Sequence, residues 1–196
     1  MTIQQYKRSQ ERYLRTLSAS VKKHIRSYTH IAYIDINKYL RKADSYPDPH
    51  IADDILALKT AIENSPPLQG RLTVYRAVNR QRTLGRGDTF TNKGFVSTSL
   101  NKNKAVQYMK ASCCLFKIQL KKGAQALFIE PLSQNIADEE ILLPMGVKFH
   151  VIKTERFDKG TLVTVECENC TMNNPFAIRK LEWVDSWGVY AMSFYK

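Results

Sequence analysis

Three consecutive carboxylates, Asp138-Glu139-Glu140, run straight into the apolar stretch Ile141-Leu142-Leu143-Pro144. In an extended chain Asp138 and Glu140 share a face while Glu139 points away, because strand side chains alternate. Two acids on one face at a strand mouth suit two tasks: one stabilises a developing cation, the other activates a nucleophile. Upstream, Gly94-Phe95-Val96-Ser97-Thr98-Ser99-Leu100 alternates apolar and small polar residues and ends in three hydroxyls, with Ser97 and Ser99 on one face and Thr98 on the other. Further upstream, Arg76 closes Leu72-Thr73-Val74-Tyr75-Arg76. A guanidinium among apolar neighbours is costly unless it meets an anion, and its fork suits a phosphate or carboxylate. Singly, each feature has an ordinary alternative: an acidic turn, a strand with a wet hydroxyl face, a surface Arg at a strand end.

The elements that must position these groups are legible in the periodicity. Residues 1–65 carry helical spacing: Tyr6, Tyr13, Leu14, Leu17 and Val21 recur on one face, and Ser18 or Ser20 can cap a helix containing Val21 and Ile25. Thr29 and His30 interrupt before a segment with Ile36, Tyr39 and Leu40 on one face. Pro47 and Pro49 mark a loop, and Ile51, Ile55, Leu58 and Ile62 predict a further helix over 51–64, stopped by Ser65-Pro66-Pro67. From Leu72 the period becomes two, predicting strands over 72–77, 89–99, 115–120, 126–130, 140–143, 148–154, 161–167 and 189–195, with one helix over 102–110. A helical block followed by a run of strands is the α+β class. We read a single domain over 1–196, with a helical part to 65, a β core over 66–168 and a C-terminal extension over 169–196 in which Trp183, Trp187, Phe194 and Tyr195 can cover a core edge.

The 196-residue chain is 43% hydrophobic and 24% charged, enough for a packed core. Its net charge of +12 favours anionic partners, although no run of five or more bases occurs. No apolar run approaches a membrane span, and the polar N-terminus carries no export signal core, so action in a cytosol is expected, that of a host cell included. Cys113 and Cys114 read as buried strand thiols, whereas Cys167 and Cys170 form one CxxC, which can be half a zinc site, a disulfide or two free thiols. The set fits a reducing compartment.

Taken together, Tyr75-Arg76, then Phe95-x-Ser97-Thr98-Ser99, then Asp138-x-Glu140-Ile141-Leu142-Leu143-Pro144-x-Gly146 resemble the R-S-E group of mono-ADP-ribosyltransferases, over about residues 15–155. The resemblance implies an ADP-ribosyltransferase fold: N-terminal helices packed on a sandwich of two small, mostly antiparallel sheets with a cleft for NAD, used as ADP-ribose donor without a metal. It implies that Arg76 holds the NAD phosphates or the adjoining ribose, that Ser97 lies near the nicotinamide ribose and orients Glu140, with Thr98 and Ser99 beside it, and that Glu140 grips the ribose 2′-hydroxyl and stabilises an oxocarbenium-like transition state. Asp138 stands where arginine-modifying relatives usually carry Glu and Rho- or DNA-modifying relatives carry Gln; an acid there favours a guanidinium acceptor. Asn135 and Ile136 replace the aromatic many relatives use to touch the target protein, and Tyr108 and Lys110 are the nearest matches to residues placed against nicotinamide and phosphate.

The function expected is transfer of ADP-ribose from NAD to a target protein, at arginine, with release of nicotinamide and a possible NAD glycohydrolase side activity. The charge of +12 motivates nucleic acid as an alternative acceptor, against which the acid at position 138 counts. A non-catalytic module retaining the fold is a third reading, disfavoured by the completeness of the Arg, Ser-Thr-Ser and Glu positions.

Overall fold

The computed structural model describes residues 2–41, 48–78, 84–109, 113–133, 137–157, 160–168 and 170, with Cys113 and Phe157 described by backbone alone. Lys110, Asn135, Ile136 and the expected strand over 189–195 lie outside them. Four helices come first: α1 (Ile3–Thr16), α2 (Ala19–Ser27), α3 (Tyr33–Arg41) and α4 (Pro49–Glu63). Thr2 and Gln5 form a capping box on α1, Ser18 caps α2 as expected, and Asp48 caps α4 with Pro49 in its first turn. The interruption expected at Thr29-His30 is a π-helical turn, Tyr28–Ala32, which leads from α2 into α3.

The strands are β1 (Leu72–Val78), β2 (Thr89–Asn92), β3 (Val96–Ser99), β4 (Cys113–Leu120), β5 (Leu127–Phe128), β6 (Glu140–Leu143), β7 (Val147–Phe157) and β8 (Gly160–Cys167), with α5 (Lys102–Gln107) between β3 and β4. They form one hydrogen-bonded sheet in the order β2-β7-β8-β4-β1-β3-β6-β5, antiparallel except where β4 meets β8. Between β1 and β3 the ladder is reduced to one pair, Tyr75 with Ser99. The sheet is thus a five-stranded and a three-stranded part, and one core gathers side chains from both: Val74, Phe116, Ile118, Val163 and Val165 meet Val96, Phe128, Ile141 and Leu143. A second core joins the helices to the other face of the three-stranded part, where Ile25, Tyr28, Ile36 and Leu58 meet Phe95, Leu127, Ile129 and Leu142. Neighbours along β6 alternate between the two cores, so both its faces are covered, which is why it reads as unbroken apolar sequence.

The expected strand over 89–99 is two strands. β2 pairs with β7, β3 pairs with β1 and β6, and the chain crosses between them at Lys93–Phe95. Gly94 allows the crossing: a Cβ there would lie 2.3 Å from Asn37 Oδ1 on α3, closer than any real contact. The strand expected over 126–130 is shortened to Leu127–Phe128, because Pro131 helps turn the chain into a 3-10 segment, Glu130–Leu132. Of the three readings of the CxxC, the structure contains the disulfide, Cys167 to Cys170 with Cα atoms 6.1 Å apart, in place of free thiols suited to a reducing compartment. Among the described residues no helix is long and apolar enough to cross a membrane.

Candidate active site

Among the described candidates, Arg76, Ser97 and Glu140 meet where the two parts of the sheet join. Ser99 pairs with Tyr75 on one side and with Glu140 on the other, so β3 carries register from Arg76 to the acids. Beyond that single pair with β1 the backbone ladder stops, and the Arg76 guanidinium takes over: its Nη1 donates to Ser97 O at 2.5 Å. This uses one of the fork's five donors. Burial lowers the Arg76 pKa, Tyr28 and Glu140 oppose that, and Arg41 adds to it.

Glu140 opens β6, and its backbone is fixed by pairing with Ser99 and by Ile129 N donating to Glu140 O at 3.0 Å. Burial raises the Glu140 carboxyl from 4.5 to about 6; a hydrogen bond from Ser97 lowers it, Asp138 raises it and Arg76 lowers it. Behind Ser97 stands Tyr28, whose hydroxyl lies 3.5 Å from Ser97 Oγ and accepts from Asn37 Nδ2 at 3.2 Å. Since that oxygen receives the amide proton, its own proton can turn toward Ser97, leaving the Ser97 proton for Glu140. The π-helical turn and the edge-on ring of Phe95, 5.9 Å away, seat Tyr28 there.

Thr98 and Ser99, expected beside Ser97, make hydrogen bonds inside the protein. Thr98 Oγ1 donates to Ile141 O at 2.8 Å and is buried, facing away from Ser97 as strand alternation requires. Ser99 Oγ donates to Asp138 O at 2.5 Å and accepts from Asn101 N at 2.9 Å. Asp138 lies close enough to Glu140 to raise its carboxyl, but the chain between them is not extended. Ala137 and Glu139 both take left-handed backbone, φ 78° and 50°, and Asp138 sits between them. Glu139 points away as expected, to Lys7 on α1. Tyr108, at the C-cap of α5, is 60% exposed and donates its hydroxyl to Asp138 Oδ2 at 2.7 Å, which with burial raises its pKa to about 12.

Sequence reasoning missed Tyr28, Asn37 and Lys7. Tyr28 reads as an ordinary core aromatic beside an interruption, and no local signal marks Lys7 among the bases of α1. Among the described residues no three His, Cys, Asp or Glu side chains gather closely enough to hold a metal. A half-buried guanidinium that spends one donor on Ser97 O, within electrostatic reach of the Glu140 carboxyl, fits a ligand carrying both phosphate and sugar hydroxyls.

The family model described as ADP-ribosyltransferase exoenzyme matches residues 4–171. Among solved structures, the chain is similar to Plx2a, an ADP-ribosyltransferase toxin from Paenibacillus larvae (TM-score 0.72, 22% identity, 85% of this chain and 94% of that one). It is also similar to C3stau2 from S. aureus, solved with NAD (TM-score 0.71, 19% identity, 85% and 96%). A third similar structure is the Vis toxin of Vibrio splendidus, an ADP-ribosyltransferase solved in complex with agmatine (TM-score 0.65, 20% identity, 86% and 87%). Among curated proteins no sequence matches. The match over residues 4–171, on a fold shared with these toxins, places this chain in the ADP-ribosyltransferase exoenzyme family.

Proposed function

We propose that this chain transfers ADP-ribose from NAD to arginine side chains of a target protein, releasing nicotinamide. Family membership carries the coarser part, NAD-dependent ADP-ribose transfer. The finer part rests on one observation: a second acid, Asp138, stands two residues before Glu140 on the turn into β6, its carboxylate fixed by the Tyr108 hydroxyl at 2.7 Å and close enough to raise the Glu140 carboxyl.

NAD supplies a ribose joined to a good leaving group, neutral nicotinamide, and two negative phosphates. Arg76 binds the phosphates with the donors that Ser97 O leaves over. Glu140 accepts from the ribose 2′-hydroxyl and faces the positive charge that develops on the sugar as the bond to nicotinamide breaks and its electron pair goes to the ring nitrogen. Ser97 fixes the carboxylate for that task. Asp138 orients the acceptor guanidinium and takes the proton it loses as nitrogen bonds to the anomeric carbon. Tyr108, expected against nicotinamide, is assigned to this acceptor end, because its hydroxyl is on Asp138. The Vis toxin was solved with agmatine, itself a guanidinium, and the acid at 138 suits the same class of acceptor. Lys110 is kept for the phosphates, and Asn135 and Ile136 for the target protein.

The test incubates the protein with labelled NAD and a cell lysate, and follows nicotinamide release and label in separate protein and nucleic-acid pools, for wild type and Glu140→Gln. Release of nicotinamide with hydroxylamine-labile label on protein, both lost in Glu140→Gln, is the expected result. Equal rates in the two proteins remove Glu140 from the mechanism, and protease-resistant label on nucleic acid overturns the protein acceptor.

A further inference from the structure

Left-handed backbone at Ala137 and Glu139 is unusual for residues with a Cβ, and such conformations persist only where the surroundings hold them. Three of the bonds that hold this turn come from nearby parts of the β core: Leu100 N to Glu139 O at 3.1 Å, Ser99 Oγ to Asp138 O, and Ala137 N to Glu130 Oε1 at 3.0 Å. A fourth comes from the far end of the chain, where Lys7 Nζ on α1 meets Glu139 Oε1 at 2.5 Å. Both side chains are largely covered, 19% and 31% exposed, so water and salt screen the pair less than a surface pair. The lysine stem is not free to follow the turn if the turn moves. The ammonium sits 5.2 Å from the centre of the Phe128 ring, and the adjacent Tyr6 anchors α1 by donating to Ala126 O at 2.6 Å in the core.

The geometry points to Lys7 as a positioning residue for the acceptor end of the site: through Glu139 it fixes the turn that aims Asp138, and it has no part in holding Glu140. This rests on the reading of Asp138 as the acceptor-side acid. The two acids are supported differently. Glu140 is inside the β3–β6 ladder, paired with Ser99, and Ile129 N binds its carbonyl. Asp138 lies outside any ladder, on a strained turn whose next residue is tied down by Lys7. Loosening that tie moves Asp138 while the ladder keeps Glu140, so transfer to an acceptor falls and breakage of NAD by water continues.

The experiment measures two rates in the full chain: NAD hydrolysis without an acceptor, and ADP-ribose transfer to free agmatine as a soluble guanidinium. Lys7→Met keeps an apolar stem over Phe128 and removes the charge. Because a displacement of about 1 Å costs about 10²-fold in a positioned reaction, transfer is expected to fall at least about tenfold with hydrolysis within about twofold. The charge-reversed pair, Lys7→Glu with Glu139→Lys, restores the ratio of transfer to hydrolysis, which a purely structural role for Lys7 does not predict. An unchanged ratio in Lys7→Met, or equal loss of both rates in protein with wild-type circular dichroism, overturns the proposal. A wild type that hydrolyses NAD yet transfers nothing to agmatine refutes instead the assignment of Asp138 to a guanidinium acceptor.

Discussion

Replacing Glu140 with Gln should abolish the chemistry and make the protein more stable, and the stability gain should depend on pH in a defined direction. Glu140 titrates at about 6 in the folded chain against an ordinary 4.5, with the Ser97 and Arg76 contributions already included in that balance. A carboxyl whose folded value lies above its unfolded value binds its proton more tightly when folded, so ionising it works against the fold. The cost is absent below about pH 4, where the group is protonated in both states, and complete well above pH 6. A difference of roughly 1.5 pH units at about 1.36 kcal/mol each gives about 2 kcal/mol. Gln is neutral at every pH and close to the same shape, so it escapes that cost.

Urea unfolding followed by far-ultraviolet circular dichroism at pH 8 and pH 4 reads the effect. At pH 8 Glu140→Gln should be the more stable by about 2 kcal/mol, or about 4–8 °C in Tm for a chain of this size; at pH 4 the two proteins should coincide. Equal stability at pH 8 refutes the claim that the site holds its carboxylate at the fold's expense. Equal stabilisation at both pH values shows that the gain comes from packing rather than from removing a charge.

Ser97→Ala removes a hydrogen bond that favours the ionised form of Glu140, so the acid limb of kcat/KM for NAD hydrolysis should move to higher pH. A bond to a charged group is worth about 1.5–3 kcal/mol, or about 1–2 pH units; an unmoved limb removes Ser97 as the group that sets Glu140. Thr98→Val leaves Ile141 O without its buried donor and should cost about 1–3 kcal/mol in urea unfolding while the pH profile of NAD hydrolysis stays with the wild type. A shifted profile with unchanged stability would return Thr98 to the ligand.

The residues that announce the chemistry lie in strands, and strands announce themselves locally. β6 was legible to its last residue, because its apolar run is too short for a helix and is closed by the turn signal Pro144-Met145-Gly146. β1 was legible to within one residue, with Arg76 inside it. What escaped depends on partners far along the chain. No alternation in residues 89–99 reveals that Asn37 presses against Gly94 and divides the stretch into two strands. Tyr28 acts on Ser97 across 69 positions and Lys7 on Glu139 across 132, distances over which periodicity carries no information. The expectation that Asp138 and Glu140 share a face assumed an extended chain. Asp138 does lie close enough to raise the Glu140 carboxyl, but the chain between them takes left-handed backbone at Glu139, next to a second such residue at Ala137, and neither residue type favours that conformation.

The two acids therefore show two ways of placing a side chain. Glu140 inherits its position from a backbone ladder that the sequence specifies through hydrophobic pattern, and a ladder slips only by whole registers that would turn Ile141 and Leu143 out of their core. Asp138 has no such protection; its place comes from Ser99, Tyr108 and the tethered Glu139, each a separate side-chain choice. In the proposed function the cleavage of NAD falls to Glu140, the acid that the ladder holds in register. The choice of acceptor in that proposal falls to Asp138, whose turn is held by side-chain contacts rather than by a ladder. On that reading, a substitution at the Asp138 turn can change the acceptor while the ladder keeps Glu140 in place for the same reaction.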